Sequence, residues 1–193
     1  MDGKQALRFL NGFNEAVQAH KEELSLLDTP IGDGDHGSNL ARGMQAVMDA
    51  VASDENAPAA DLFKKTAMAL ISKVGGASGP LYGSAFLGMS KAAAAGKSDG
   101  EIMEAGLEQI LKRGKASVGD KTMVDVWTPA IEALKAGNLT DEKIEEYVLA
   151  TKDMQARKGR ASYLGERSIG HIDPGSRSSG YLFESLLASE KEA

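Results

Sequence analysis

Residues 4–27, KQALRFLNGFNEAVQAHKEELSLL, space Leu7, Leu10, Phe13, Val17, Leu24 and Leu27 by three, four or seven positions. That recurrence lines up one face of an α-helix, with little of the two-residue alternation that marks a half-buried strand. The same spacing gives a second helix over Gly37 to Val51, through Leu40, Met44, Val47 and Val51. A third runs from Ala59 to Val74 through Phe63, Ala67 and Leu70, and a fourth covers about Leu81 to Ala95. Ser98 followed by Glu101 is a capping-box pattern and starts a fifth helix, which carries Ile102, Ala105, Gln109 and Leu111 towards Arg113. Three more are expected at Thr122 to Ala136, Asp141 to Arg157 (with Thr140 as N-cap) and Ser178 to Ser189. Pro129 lacks an N–H and crowds the preceding turn, so a kink or a later start is expected in the sixth.

The pattern is an all-α, eight-helix, antiparallel up-and-down bundle, and its connections fall into two kinds. Those after helices 2, 4 and 6, around Ser53 to Pro58, Gly96-Lys97 and Gly137 to Leu139, are short turns. Those after helices 1, 3, 5 and 7 are Asp28-Thr-Pro-Ile-Gly-Asp-Gly-Asp-His36, Gly75-Gly-Ala-Ser-Gly-Pro80, Gly114-Lys-Ala-Ser-Val-Gly-Asp-Lys121 and the stretch from Lys158 to Arg177. They are rich in Gly, Asp, Ser and Lys. In an up-and-down bundle every odd connection emerges at one end, so these four are expected to converge on a polar site.

At 193 residues, the chain is expected to form one domain over its whole length, with 42% hydrophobic and 26% charged residues. No apolar run approaches the roughly 20 residues of a membrane span, and Met1-Asp-Gly-Lys4 lacks a signal-peptide profile, so the expectation is a cytoplasmic protein away from membranes. A net charge of −6 argues against nucleic acid as a partner. With no cysteine, any metal must take oxygen or imidazole ligands, which favours a hard cation.

Asp28, Asp33 and Asp35 lie within eight residues, separated by glycines that allow the tight backbone needed to aim several carboxylates at one point. Two readings stand: a nest for magnesium ions beneath a polyphosphate, or a solvated acidic turn in which Asp35 or Ser38 caps helix 2. A calcium EF-hand is excluded, because Gly37 and Met44 stand where further ligands are needed. Gly75-Gly-Ala-Ser-Gly79 precedes a helix, whose free N–H groups can bind phosphate oxygens, although a plain linker has the same composition. Gly96-Lys97-Ser98 is no P-loop, since Lys91 replaces the leading glycine. Gly119-Asp-Lys-Thr122 opens a helix and suits backbone contact with a ligand. The last long loop, with Arg160, Arg167, His171 and Asp173-Pro-Gly175, is expected to cover a ligand and offer a guanidinium to phosphate. His20 falls on the apolar stripe of helix 1 as a packed or interface residue. The methionines 44, 48, 68, 89 and 103 and Trp127 are read as packing.

Ile31-Gly-Asp-Gly-Asp-His-Gly37, Gly75-Gly-Ala-Ser-Gly-Pro-Leu-Tyr-Gly83, Val118-Gly-Asp-Lys-Thr-Met123 and Gly159-Arg-Ala-Ser-Tyr-Leu-Gly-Glu-Arg167, followed by Asp173-Pro-Gly175, resemble the ordered motifs of the L subunit of dihydroxyacetone kinase. The resemblance spans nearly the whole chain. It implies an eight-helix barrel with a nucleotide site at one end, where Asp28, Asp33 and Asp35 hold two magnesium ions. His36, Ser38, Asn39, Ala77, Ser78, Gly119, Thr122, Arg160, Asp173 and Gly175 would surround ADP, or ATP once it is phosphorylated. It further implies a dihydroxyacetone-carrying K subunit and a phosphohistidine-carrying M subunit of the phosphotransferase system as partners. The alternatives are an ATP-dependent kinase domain for another substrate and a nucleotide-dependent regulatory module, and a homodimer stays open.

Overall fold

The computed structural model describes residues 1–54 and 56–191. Residue 55, inside the turn expected at Ser53 to Pro58, lies outside them. Among the described residues the chain is all-helical: α1 (Gly3–Asp28), α2 (His36–Val51), α3 (Ala59–Lys73), α4 (Ser78–Ala94), α5 (Asp99–Gly114), α6 (Val124–Lys135), α7 (Asp141–Ala150) and α8 (Pro174–Lys191). Each helix packs on its sequence neighbours and α8 packs on α1, so the eight close into an antiparallel barrel.

Caps set the starts. Asp2 accepts the Gln5 N–H at 2.8 Å to open α1, Thr140 accepts from Lys143 N ahead of α7, and Ser98 with Glu101 forms the full capping box of α5. The inward stripes then fill the barrel: Phe9, Phe13, Phe63, Tyr82, Phe86 and Trp127 are each at most 1% exposed. Phe9 meets Phe63 edge-on with ring centroids 6.2 Å apart, and Trp127 meets Phe183 at 5.3 Å. One continuous apolar cluster draws residues from all eight helices.

Several expectations change. α7 stops at Ala150 rather than Arg157, because the Thr151 hydroxyl donates back to the Val148 carbonyl and the chain passes into a 3-10 turn at Thr151–Asp153. α8 starts at Pro174 rather than Ser178: Asp173 accepts from Ser176 N at 2.7 Å, and proline suits the first helical position. α6 runs unbroken through Pro129, whose absent N–H faces only the first-turn carbonyl of Asp125. Of the two readings of His20, packed or interface, the structure removes the first: the residue is exposed, stacked on Tyr181 at 4.7 Å and 3.0 Å from Glu23. Met68, 59% exposed, likewise lies outside the core. No helix among the described residues is long and apolar enough to cross a membrane.

Candidate nucleotide and metal site

The four odd connections meet at one end of the barrel around a cavity of about 400 Å³, within the size range of small-ligand pockets. Asp28, Asp33, Asp35, His36 and Asn39 line it from the first connection and α2, and Gly75 to Ser78 from the second. Lys121 and Thr122 come from the third, and Gly159, Arg160, Asp173 and Gly175 from the fourth.

Its polar end is built on α1 and α2. Asp28 ends α1 with its carboxylate turned back over the next loop, where Oδ2 accepts the N–H groups of Asp35 at 3.0 Å and His36 at 3.2 Å. It thereby caps α2, a role the side chain of Asp35 leaves open. The loop passes so close to Asp28 that a Cβ on residue 32 would fall 1.9 Å from its Oδ1, which requires glycine there. Gly34 adopts φ +76°, a left-handed turn that brings Asp33 and Asp35 round to the same point. One carboxylate oxygen from each of the three aspartates lies within 4.8 Å of the others.

Those charges resist crowding in different ways. Burial pushes the Asp28 carboxyl up, and the nearby Asp33 adds to the rise against the two N–H donors. Burial also acts upward on Asp33, but the contacts from Asp35, Arg160 and Asp28 outweigh it and the net direction is down. Arg160 reaches Asp33 at 2.7 Å from the far loop. Three oxygens this close, with one desolvated, form a hard donor set that fits divalent cations better than solvent.

His36 is buried with Nδ1 3.0 Å from Ser78 Oγ and Nε2 3.0 Å from Ser178 Oγ. Burial lowers its pKa to about 4, so the ring is neutral. The oxygen of the Asn39 amide is taken by Arg42 at 2.7 Å, leaving its NH₂ as a donor beside Gly75. Ser78 opens α4, whose first N–H groups face the aspartates across the cavity.

The lining also includes apolar side chains, Leu81, Ile110, Ala116, Met123, Val124 and Pro174, and a cavity that joins cation-ready carboxylates to such an apolar slot suits the two parts of a nucleotide.

Two residues expected at the ligand stand elsewhere. The Ser38 hydroxyl donates to the Asp35 carbonyl on the outer side of α2, in a groove with Lys21 and Gln45. Gly119 lies off the cavity, and its N–H is held by Asp125 at 2.5 Å. Asp125 is the residue that sequence reading overlooked: it is buried, it also accepts from Thr122 N at 2.8 Å, and it shapes the whole third connection. Thr122 and Asp125 form the Thr-x-x-Asp signature of a helix start, which could have revealed it. Lys121 was passed over too. It adopts φ +61°, is 1% exposed, and donates to the carbonyls of Met154 at 3.0 Å and Ser168 at 2.7 Å, closing the base of the fourth connection.

A family model described as the DAK2 domain matches residues 30–188. The chain is 54% identical over 193 residues to the PEP-dependent dihydroxyacetone kinase 1, ADP-binding subunit DhaL, of Listeria innocua, covering 98% of each. It is 56% identical over 181 residues to the PTS-dependent counterpart of Lactococcus lactis, covering 94% of each, and 38% identical to the Escherichia coli subunit over 97% of each. The solved dihydroxyacetone kinase of C. freundii in complex with AMP-PNP and Mg2+ superposes with a TM-score of 0.75 at 25% identity. That match covers 94% of this chain and 33% of the solved one, so the chain spans about a third of that kinase.

Proposed function

Because the chain belongs to the DAK2 domain family, we propose that it is the ADP-binding subunit of a phosphotransferase-system-dependent dihydroxyacetone kinase, acting as one domain over residues 1–193. The observation that carries the reading is the meeting of Asp28, Asp33 and Asp35 within 4.8 Å in the lining of a cavity that also has apolar walls. In this reading the three aspartates hold two Mg2+, which when bound neutralise and orient the diphosphate of ADP. Ser78, Ala77, Asn39 and Thr122 surround the phosphates with donors, Arg160 supplies a guanidinium from the opposite loop, and Asp173 and Gly175 border the apolar slot.

The reaction is a relay. When bound, ADP would supply the acceptor for a phosphoryl group from a phosphohistidine on an M subunit and, once phosphorylated, the donor to dihydroxyacetone on a K subunit, while the residues named above hold and orient its phosphates. Both transfers ask this chain chiefly for alignment and charge neutralisation. His36 is a weak base here, since burial lowers its pKa to about 4. No step needs a second copy of the chain, and a homodimer forms no part of the reading.

Native mass spectrometry of freshly purified protein should show the chain with one ADP and two magnesium ions. Asp33→Asn should abolish transfer from the phosphohistidine donor. Protein that arrives free of nucleotide and turns over exchangeable ATP with the K subunit alone would rule out the relay. Retained transfer in the Asp33 variant would rule out the metal assignment.

A further inference from the structure

Behind the polar end of the cavity a row of hydrogen-bonding groups runs inward from Ser78 through His36, Ser178, Tyr82 and Ser179 to Trp127. Ser178 Oγ lies 3.0 Å from His36 Nε2 and 2.8 Å from the Tyr82 hydroxyl, and Tyr82 is 3.1 Å from Ser179 Oγ. Tyr82, Trp127, Ser178 and Ser179 are at most 1% exposed. Ser178 stands behind His36, away from the cavity lining.

Each group has few protons to give, which restricts their directions. Trp127 Nε1 can only donate, and it does so to Ser179 Oγ at 3.0 Å. Ser179 in turn donates to the Gly175 carbonyl at 2.7 Å. Tyr82 must then donate outward, and its nearer acceptor is Ser178 Oγ. The proton of Ser178 has two places to go: His36 Nε2 at 3.0 Å, or the same Gly175 carbonyl at 3.1 Å, already engaged by Ser179. The imidazole nitrogen is nearer, more basic and otherwise unmet.

We propose that Ser178 is a positioning residue that donates to His36 Nε2, holds the imidazole as its Nδ1–H tautomer, and so frees the Ser78 hydroxyl proton for an oxygen in the cavity. With Nδ1–H pointing at Ser78 Oγ, that serine accepts from the ring and donates outward at the start of α4. In the opposite tautomer Nδ1 would absorb the Ser78 proton, and the phosphate end would lose a donor. The assignment rests on the nucleotide reading of the cavity in one respect: the oxygen that Ser78 meets is a phosphate oxygen.

The test has two arms. Long-range proton–nitrogen spectra of the labelled whole chain, with and without ADP and Mg2+, read the tautomer directly; His20→Gln and His171→Gln variants assign the three histidines. The expected result is a protonated Nδ1 and a bare Nε2 on His36, shifting towards Nε2–H in Ser178→Ala. Tyr82→Phe, which keeps the serine but removes the donor behind it, should shift the ring the same way and serves if Ser178→Ala folds poorly. In calorimetry with ADP and Mg2+, Ser178→Ala and Ser78→Ala should each weaken binding by about tenfold. Together they should lose little more than either alone, because both act through one hydroxyl proton. A wild-type ring protonated at Nε2 or at both nitrogens, or losses that simply add, would overturn the proposal. Failure of ADP to bind at all would instead sink the nucleotide reading, while the spectra still decide the tautomer.

Discussion

Adding one methyl group at residue 32 should damage cation binding without removing any carboxylate. The Cβ of Gly32→Ala would lie 1.9 Å from Asp28 Oδ1, 2.8 Å from its Cγ and 3.1 Å from its main-chain oxygen. Oδ1 must therefore move by more than an ångström. Its partner Oδ2 is tied to Asp35 N and His36 N, so turning the carboxylate stretches bonds that hold the start of α2. Overpacking of this kind costs about 1–3 kcal/mol, and a weakened bond to an ionised group adds about 1.5 kcal/mol or more. Much of that cost falls on the placement of Asp28. If Asp28 is a ligand, affinity for Mn2+ or for Mg2+ with ADP should drop by about 10- to 100-fold. The melting temperature should fall by about 5–18 °C. Gly96→Ala is the control: it forces a side chain onto φ +70° with no neighbour within 4 Å, in a connection at the other end of the barrel. It should lose stability, by about 1 kcal/mol, but no cation affinity. Calorimetry and thermal melts on both variants suffice. Equal cation affinity in Gly32→Ala and wild type would refute the placement of Asp28 at the metals.

Three other perturbations have definite outcomes. Burial raises the Asp173 carboxyl from 3.8 to about 6, against the pull of the Ser176 donors and Lys121. A raised folded pKa contributes stability that is complete below 3.8 and lost as pH climbs through 6, so above that window the carboxylate costs the fold up to about 3 kcal/mol. Asp173→Asn, which keeps the cap on α8, should melt higher than wild type near neutral pH and lose the advantage in mild acid; a constant difference across pH would contradict it. Asp125→Ala strips the bonds to Gly119 N and Thr122 N from a buried acceptor and should cost roughly 3 kcal/mol, or about 6–12 °C in melting temperature. A fall under about 2 °C by circular dichroism would show that the third connection holds its shape unaided. Arg160→Ala removes an exposed pair to Asp33 worth at most about 1 kcal/mol. Mn2+ alone should bind unchanged or up to about fivefold tighter, and ADP with Mg2+ about tenfold weaker. An unchanged nucleotide affinity would mean that the guanidinium does not reach phosphate.

The barrel could be read from the sequence because its information is local. Helical stripes, the caps at Ser98 and Thr140 and the contrast between plain turns and Gly-Asp-Ser connections sufficed to place four loops at one end. Boundaries failed where distant groups decide them. Nothing near Ala150 says that α7 ends there; the Thr151 hydroxyl is shared between Val148 O and Asp173 N, a residue 22 positions away. Nothing near Lys121 marks it as buried, because its burial depends on carbonyls at 154 and 168. Nothing local marks Ser178 either, since its partners lie 96 and 142 positions off. Ser38 erred the other way. It sits in the motif with His36 and Asn39, but on a helix it faces a different side from both.

A barrel of straight helices also explains why the polar machinery is divided as it is. Loops can aim the aspartates, because exposed backbone turns freely, but a loop alone does not hold a hydroxyl or an imidazole to a fixed direction. Here the directions come from the core. Trp127, Tyr82, Ser179 and Ser178 would each cost free energy if buried unpaired, and they pair with one another and with the Gly175 carbonyl. A row of this kind has few alternative arrangements, so it transmits the rigidity of the packed barrel to His36 and Ser78 at the cavity wall. The carboxylates make the opposite arrangement: Asp33 and Asp35 lie exposed on the loop, Asp33 paired with the exposed Arg160, whereas Asp28 is tied to the first N–H groups of α2. In the proposed reading, cations entering from solvent would meet two adjustable ligands and one fixed one, whereas a phosphate would meet donors set before it arrives. That asymmetry predicts that variants in the buried row alter nucleotide affinity and leave Mn2+ affinity untouched, which calorimetry on Tyr82→Phe can check with the metal alone; a matching loss for both ligands would show that the core does not act through the phosphate end.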